Sequence, residues 1–482
     1  MSDLILFWHR RDLRISDNTG LAAARKQSQK VVGVFCLDPN ILERDDVAAV
    51  RVTYMIGSLQ SLQQRYAQAG SQLLILHANP TTAIPELAAS LGARAVFWNW
   101  DVEPYSQERD RAVTDALKEK GIQFLEKNWD QLLHSPEDIR TGSNQPYTVY
   151  TPFWKNWIGK SKANPVETLE NAEGLTQAEK EIAKASGAIK LPSAKDLGFH
   201  WDGELVIAPG EAAAQERLEE FCASAINEYK EQRNFPAIDG TSRLSAALKF
   251  GVIGVRTVWQ ATLEALEMSR SEETETSIRA WQQELAWREF YQHAMYHFPE
   301  LAEGAFRDHF KNFPYDNNEE HFQAWCEGKT GYPIVDAAMR QMNELGWMHN
   351  RCRMIVANFL TKDLLVDPRM GEKYFMQRLI DADLSANNGG WQWSASSGMD
   401  PKPVRIFNPA SQSQKFDFEG EYIRQWVPEL RSMDTEYLVT GKISPLERHA
   451  VGYPDPIVDH SIQQRQFKER YQRQKDGLGA LR

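Results

Sequence analysis

The chain has 482 residues, more than one simple hydrophobic core organises, so two domains are expected. It is 42% hydrophobic and 25% charged, which excludes wholesale disorder, and MSDLILFWHRRDLR at the N-terminus carries no long apolar run, so a cytosolic protein with no membrane association is expected. The net charge of −11 argues against non-specific nucleic-acid binding but permits a local basic cleft, and cysteines 36, 222, 326 and 352 form no CxxC pair that would signal zinc or a disulfide framework.

Short apolar runs at 4–8 (LILFW), 31–37 (VVGVFCL), 73–77 (LLILH) and 95–98 (AVFW) alternate with helical spacing, as in TYMIGSLQSLQQRYAQAG. That alternation predicts an α/β domain with a parallel, doubly wound sheet over 1–130. The segment 131–205 contains NPVETLENAEGLTQAEKEIAKASGAIKLPSA, rich in Ala, Glu, Lys and Ser, and reads as a surface-running linker. From 206 to 482, patterns such as PGEAAAQERLEEFCASAINEY and SIRAWQQELAWREFYQHAMYH predict an all-α domain.

Three weak signals fail. GKTGYP at 328–333 has Gln323 where a phosphate loop needs its first glycine, and Gly251 with Gly254 are too few for a dinucleotide fingerprint. His293 and His297 stand four apart without a third ligand, so no metal site is expected.

The helical half is different, because polar groups recur there beside aromatics in a chain holding 15 tryptophans. In AWQQELAWREFYQ, helical spacing puts Glu284, Trp287 and Tyr291 on one face, with Trp281 one turn earlier. GWMHNRCRMIV places Asn350 and Met354 on one face and Arg353 on its neighbour, and DADLSANNGGWQWSASSGMDPKP supplies Asp381, Asp383, Asn387, Trp391 and Trp393. EYKEQRNFPAIDGTSRLSAALKFG offers Tyr229, Arg233 and the run Thr241, Ser242, Arg243, Leu244 and Ser245, whose hydroxyls and free N–H groups suit a helix cap or an anion. Each feature alone has an ordinary explanation: a cap, a buried acid, a core methionine. Together they describe a pocket for something planar and anionic.

These segments, with FWHRRDLRISDN and TGYPIVDAAMRQ, resemble the photolyase/cryptochrome family over nearly the whole chain, most of all its class I cyclobutane pyrimidine dimer photolyases. The resemblance implies FAD folded into a U in the helical domain. Tyr229 and Thr241–Ser245 would hold the pyrophosphate, and Trp281 and Glu284 would line the site. Arg353 would pair with Asp381 beside the isoalloxazine, Asp383 would contact it, and Asn387 would face flavin N5. The implied activity is light-driven repair of UV-damaged DNA by a monomer, in which photoexcited FADH⁻ lends an electron to a flipped-out dimer and recovers it. Glu284, Trp287, Asn350, Met354 and Trp393 would form the dimer pocket, and Arg233, Arg351, Lys402 and Arg405 would contact phosphates.

Phe35, Cys36, Asp38, Arg51, Asp101, Glu103 and Lys249 resemble an antenna site of the 8-hydroxy-5-deazaflavin type. Where the folate type carries a Cys-Lys pair, this chain has Ala302 and Glu303. The family's three-tryptophan relay is broken: Trp391 matches its inner member, but Pro368 and Tyr315 stand at the middle and outer positions. Slow photoreduction, or a route through Trp325 or another tyrosine, is expected. Asn387, Met354 and Trp287 argue against a cryptochrome photoreceptor, and His349 alone does not supply the histidine pair of a (6-4) photolyase.

Overall fold

The computed structural model describes residues 3–399 and 404–479. Strands β1 (Ile5–His9), β2 (Val31–Leu37), β3 (Leu73–His77), β4 (Ala95–Phe97) and β5 (Gln123–Phe124) form one parallel sheet in the order β3-β2-β1-β4-β5. β1 and β2 are buried along their whole length, which is why they read as continuous apolar runs. Alternation splits them between two cores. Ile5, Phe7 and Val31 face helices α1 (Thr19–Gln27) and α2 (Ala49–Gln68), whereas Leu6, Trp8 and Val32 face α3 (Pro80–Ser90) and α4 (Pro104–Glu119). Helices therefore cover both faces, as the doubly wound pattern requires.

The first of these cores continues into the helical half through Leu244, Phe250 and Trp281, so the two regions share packed side chains. The segment 131–205 departs from a surface-running linker. Its helix α5 (Tyr150–Gly159) buries Phe153 and Trp157, and Leu169, Ala172 and Ile189 N–H groups bond to the carbonyls of Ile15, Ala69 and Ile75. The aromatics of TPFWKNWIG outweigh the polar composition that follows them.

In the helical half, the elements that matter are α6 (Tyr229–Gln232), α7 (Ser245–Phe250), α8 (Glu272–His297), α9 (Glu319–Glu327), α10 (Asn350–Lys362), α11 (Pro368–Arg378), α12 (Leu384–Ala395) and α13 (His460–Gly479). α8 is the axis, with α5, α6 and α12 packed against it, and α12 also packs on α10 and α11. Ser271 caps α8 and three glutamates occupy its first turn, which satisfies free N–H groups and complements the helix dipole. Asp383 caps α12, accepting a hydrogen bond from Ala386 N. Among the described residues no helix is long and apolar enough to cross a membrane.

Candidate functional site

Two sites emerge. The first is a cavity of about 200 Å³ at the C-terminal ends of β1, β2 and the β4 connection, where the strand order changes direction about β1. Open parallel sheets bind ligands at such a point because neighbouring connections diverge there. Phe35, Cys36, Asp38, Arg51, Asp101, Glu103 and Lys249 all line this one cavity, together with Trp8, Arg11, Tyr105 and Arg109.

Charge is crowded around it. Arg11 donates to Glu103 at 2.6 Å and to Asp101 at 3.4 Å, and it also pairs with Asp383. Burial opposes the charge of Arg11, but these three carboxylates outweigh it and raise its pKa. Glu103 is pushed up to about 7 by burial despite Arg11, and Lys249 is pushed down to about 7 by burial and by Arg11 and Arg51. Burial lowers Arg51 to about 10. Asp383 behaves oppositely: burial favours its neutral form, yet Arg11 and the Ala386 N–H hold it below its ordinary value. Asp383, expected on the flavin, thus has its carboxylate turned to Arg11 and lines the α/β cavity.

The second site is built around α8. Trp287 stacks on Tyr150 with centroids 3.5 Å apart and planes 7° from parallel, and Tyr291 lies 5.6 Å from it on the next turn. Glu284, one turn before Trp287, pairs with Arg233. Burial raises the Glu284 pKa and Arg233 opposes the rise. Arg233, expected at a DNA phosphate, is held by this pair at a half-exposed position. Trp281, also on α8, is buried against Phe221 at 5.3 Å.

Arg353 on α10 donates to Asp381 Oδ2 at 2.8 Å, while the buried Asp381 Oδ1 has no hydrogen-bond partner among the described residues. Asn350 opens α10 at an exposed position and Met354 is half-buried one turn on. On α12, Asn387 Nδ2 donates to Glu372 O at 3.0 Å, and its side-chain carbonyl has no hydrogen-bond partner among the described residues. Gly389 lies so close to Tyr291 that a Cβ there would overlap the ring. The TSRLS run leads into α7, with Arg243 in the left-handed region at φ 54° and its guanidinium 5.3 Å from the Trp347 ring. Arg217 donates to the carbonyls of Thr241 and Ser242 at 2.8 and 3.0 Å, turning that backbone's carbonyls away from its N–H side. Tyr229 is buried, with Arg233 5.7 Å above its ring.

Trp391 is buried on the far side of α12, where Phe375 and Trp325 lie at 4.9 and 6.1 Å, and Tyr374 lies 5.8 Å beyond Trp325. Pro368 begins α11 and offers no aromatic ring, and Tyr315 packs instead on Phe313 at 4.8 Å. Trp393 borders a small cavity with Arg405, which is exposed. Arg351 lies 4.3 Å from the Phe416 ring and donates to Asn234 at 2.5 Å. Lys402 lies outside the described residues. His293 accepts from Tyr147 N at 3.2 Å, and no group of three or more His, Cys, Asp or Glu residues that could hold a metal occurs among the described residues.

Sequence reasoning missed Tyr150 and Arg11. The aromatic density of YTVYTPFWKNW was the signal for the first, and the doubled arginine after β1 was the signal for the second.

Comparison with known proteins places these features. The profile of DNA photolyase matches residues 5–171, and that of the FAD binding domain of DNA photolyase matches 281–473. The chain is 58% identical to a deoxyribodipyrimidine photo-lyase of Synechococcus sp., covering 99% of this chain and 98% of that one. It is 41% identical to one of Halobacterium salinarum, covering 95% and 96%. A crystal structure of a bacterial class III photolyase from Agrobacterium tumefaciens is similar with a TM-score of 0.89 at 34% identity, covering 99% of this chain and 98% of that one. An archaeal photolyase from Sulfolobus tokodaii, solved with two FAD molecules, is similar with a TM-score of 0.82 at 31% identity, covering 97% and 99%.

Proposed function

The chain belongs to the DNA photolyase family, and from that membership we propose that it splits cyclobutane pyrimidine dimers in DNA under blue light, acting as a monomer with FAD in its helical domain. The single observation that carries the cofactor assignment is the Arg353–Asp381 pair, whose second carboxylate oxygen is buried and unpartnered. A buried oxygen left without a donor costs about 1–3 kcal/mol, so it suits a site completed by a ligand N–H. Bound and reduced, FAD would supply the photoexcited electron that ring opening needs, in a cycle with no net redox change.

The side chains do the rest. Arg353 sets a cation beside the flavin and favours its anionic reduced form. Asn387, held through Nδ2 by Glu372 O, turns its carbonyl to a ligand N–H. Tyr229 and Thr241–Ser245 would hold the pyrophosphate by N–H, hydroxyl and, at Arg243, guanidinium groups. Trp287, backed by Tyr150, and Trp393 wall the pocket for the extruded dimer. Stacking worth about 1–3 kcal/mol per base offsets the few kcal/mol of unstacking and unpairing. Glu284 accepts from the dimer's imide N–H, with Arg233 favouring its charged form against the opposing effect of burial, and Asn350 and Met354 complete the wall. Arg351 and Arg405 contact phosphates at the rim.

The α/β cavity takes a second planar chromophore, which we assign as 8-hydroxy-5-deazaflavin from the match of its lining residues. Two measurements test the reading. Chemically reduced, oxygen-free protein mixed with UV-irradiated oligothymidylate should restore base absorbance in blue light and not in darkness, and no recovery with reduced FAD present refutes repair. Reconstitution with deazaflavin should add an excitation band for repair, whereas a band gained with free FAD instead would reassign the antenna.

A further inference from the structure

A buried lysine lies beside the proposed dimer pocket, and none of the roles above uses it. Lys362 is 1% exposed at the end of α10, one turn after Asn358, which is 2% exposed. Their side chains converge on the same two carbonyls. Lys362 Nζ donates to Ser394 O at 2.8 Å, to Ser396 Oγ at 3.0 Å and to Arg405 O. Asn358 Nδ2 donates to Ser394 O at 3.3 Å and Arg405 O at 3.1 Å, and its Oδ1 accepts from Phe407 N at 2.8 Å.

An ammonium has three donors, and here all three are matched. Its counter-charge is not in that set: the neighbouring Asp363 is bonded to His460 of α13. Removing an ammonium from water costs several kcal/mol, more than carbonyl partners return in stability, and an apolar side chain would fill the same space more cheaply. Burial accordingly pushes Lys362 down to about 7. What the arrangement does provide is position. It ties the C-terminal end of α12 directly to the strand of chain entering at Arg405, and Trp393 and Arg405 line the same small cavity with Asn358 and Lys362.

We propose that Asn358 and Lys362 are positioning residues that fix Trp393 against Arg405, so that the aromatic wall and the phosphate contact meet a dimer-containing strand in one geometry. This rests on the photolyase reading above, and it concerns the grip on the substrate, not the light reaction. Neither residue touches the reacting atoms.

The test uses the FAD-loaded, reduced full chain. Lys362→Met keeps length and removes the donors. Asn358→Asp keeps the acceptor for Phe407 N and removes the bonds to Ser394 and Arg405, and Ser396→Ala removes one partner of Lys362 by itself. For each variant the dissociation constant for a dimer-containing oligonucleotide, the repair yield per photon at saturating DNA and the bound-flavin spectrum are measured. We expect Kd to rise about tenfold for Lys362→Met and Asn358→Asp and two- to threefold for Ser396→Ala, with flavin spectrum and saturated yield within a factor of two of the parent. An unchanged Kd in the folded variants overturns the proposal. So does a parallel loss of flavin and saturated yield, which would make the lysine a general support of the domain. If Lys362→Met does not fold, Asn358→Asp and Ser396→Ala decide by the same criteria. Failure of the parent protein to repair at all refutes the photolyase reading and is seen before any variant is compared.

Discussion

The α/β cavity and the α8 site are assembled on opposite plans. The cavity is a product of topology: its lining comes from the ends of β1 and β2, the connection after β4, Lys249 before Gly251, and Asp383 at the start of α12. Its charges are crowded, and Glu103 and Lys249 both titrate near 7. The α8 site draws side chains at three- and four-residue spacing from single helices, and its charges stand in dedicated pairs, Arg353 with Asp381 and Arg233 with Glu284. A chromophore that only collects light tolerates a wall whose charge drifts with pH. A redox cofactor does not, because each change of neighbouring charge shifts the stability of its anionic form.

The strongest way to break this comparison is to unpair the fixed charges. Asp381→Ala leaves Arg353 without its carboxylate, and truncating one partner of a buried pair costs about 3–5 kcal/mol. We expect flavin affinity to drop by roughly 100-fold or more, read as FAD retained after dialysis, with antenna binding within a factor of two. Full FAD retention would mean that the pair is not the core of the site.

Next is the electron supply to the α8 site. The ring ladder Trp391–Trp325–Tyr374, with steps of 6.1 and 5.8 Å, leads from the helix core to a half-buried tyrosine whose hydroxyl donates to Asn343 at 2.8 Å. In oxidised protein with a thiol reductant, Trp325→Phe should slow photoreduction more than tenfold, and Tyr315→Phe should leave it unchanged. Slowing by Tyr315→Phe alone would restore the outer relay position to use. Repair by chemically reduced protein should be unaffected in both.

How readable each site was follows from its plan. Trp281, Glu284 and Trp287 were legible because helix periodicity alone brings them to neighbouring turns of α8. Four of the five strands were legible as apolar runs, whereas the two-residue β5, Gln123–Phe124, has no such run to show. The cavity's residues came from family resemblance, since strand order is invisible to local pattern: Arg11 meets Asp383 across 372 positions of sequence. For the same reason Asp383 looked like a flavin contact while its carboxylate turns to the other domain. The stretch 131–205 misled through composition, because a few large aromatics decide burial more than many small polar residues do. Lys362 was hidden by an unremarkable helix pattern, because its partners at Ser394, Ser396 and Arg405 lie 32 to 43 positions further along the chain.

The titrating wall of the cavity sharpens the contrast through pH. Below about 7 Glu103 is neutral and Lys249 charged, and above it the reverse holds, so both lose a proton as pH rises. Arg11 and Arg51 stay cationic and Asp101 and Asp383 anionic over that range. The cavity thus becomes more negative by up to two charges. An anionic chromophore should bind about tenfold more weakly at pH 8.5 than at pH 6, about 1.4 kcal/mol, and Glu103→Gln should remove roughly half of that change. FAD retention should stay flat over the same range. Affinity that rises with pH would reverse the sign and reject the assignment of these two groups.

The smallest effect tests whether the α8 site owes anything to the segment outside its own helices. Tyr150 comes from the connection, yet it backs Trp287 in a parallel stack, and its hydroxyl donates to Gln283 O at 2.9 Å. Tyr150→Phe keeps the stack and loses one neutral hydrogen bond, worth about 0.5–1.5 kcal/mol in folding stability, so dimer affinity should change less than twofold. Tyr150→Leu removes the ring behind Trp287. An aromatic pair adds about 0.5–1.5 kcal/mol beyond its buried area, so without it Trp287 should hold the dimer two- to fivefold less tightly at unchanged FAD content. If both variants bind alike, the stack is packing only, and the lesion wall is the work of α8 alone. If only the leucine variant weakens binding, the connection is part of the site, and the boundary between linker and functional domain has to be drawn on the N-terminal side of Tyr150.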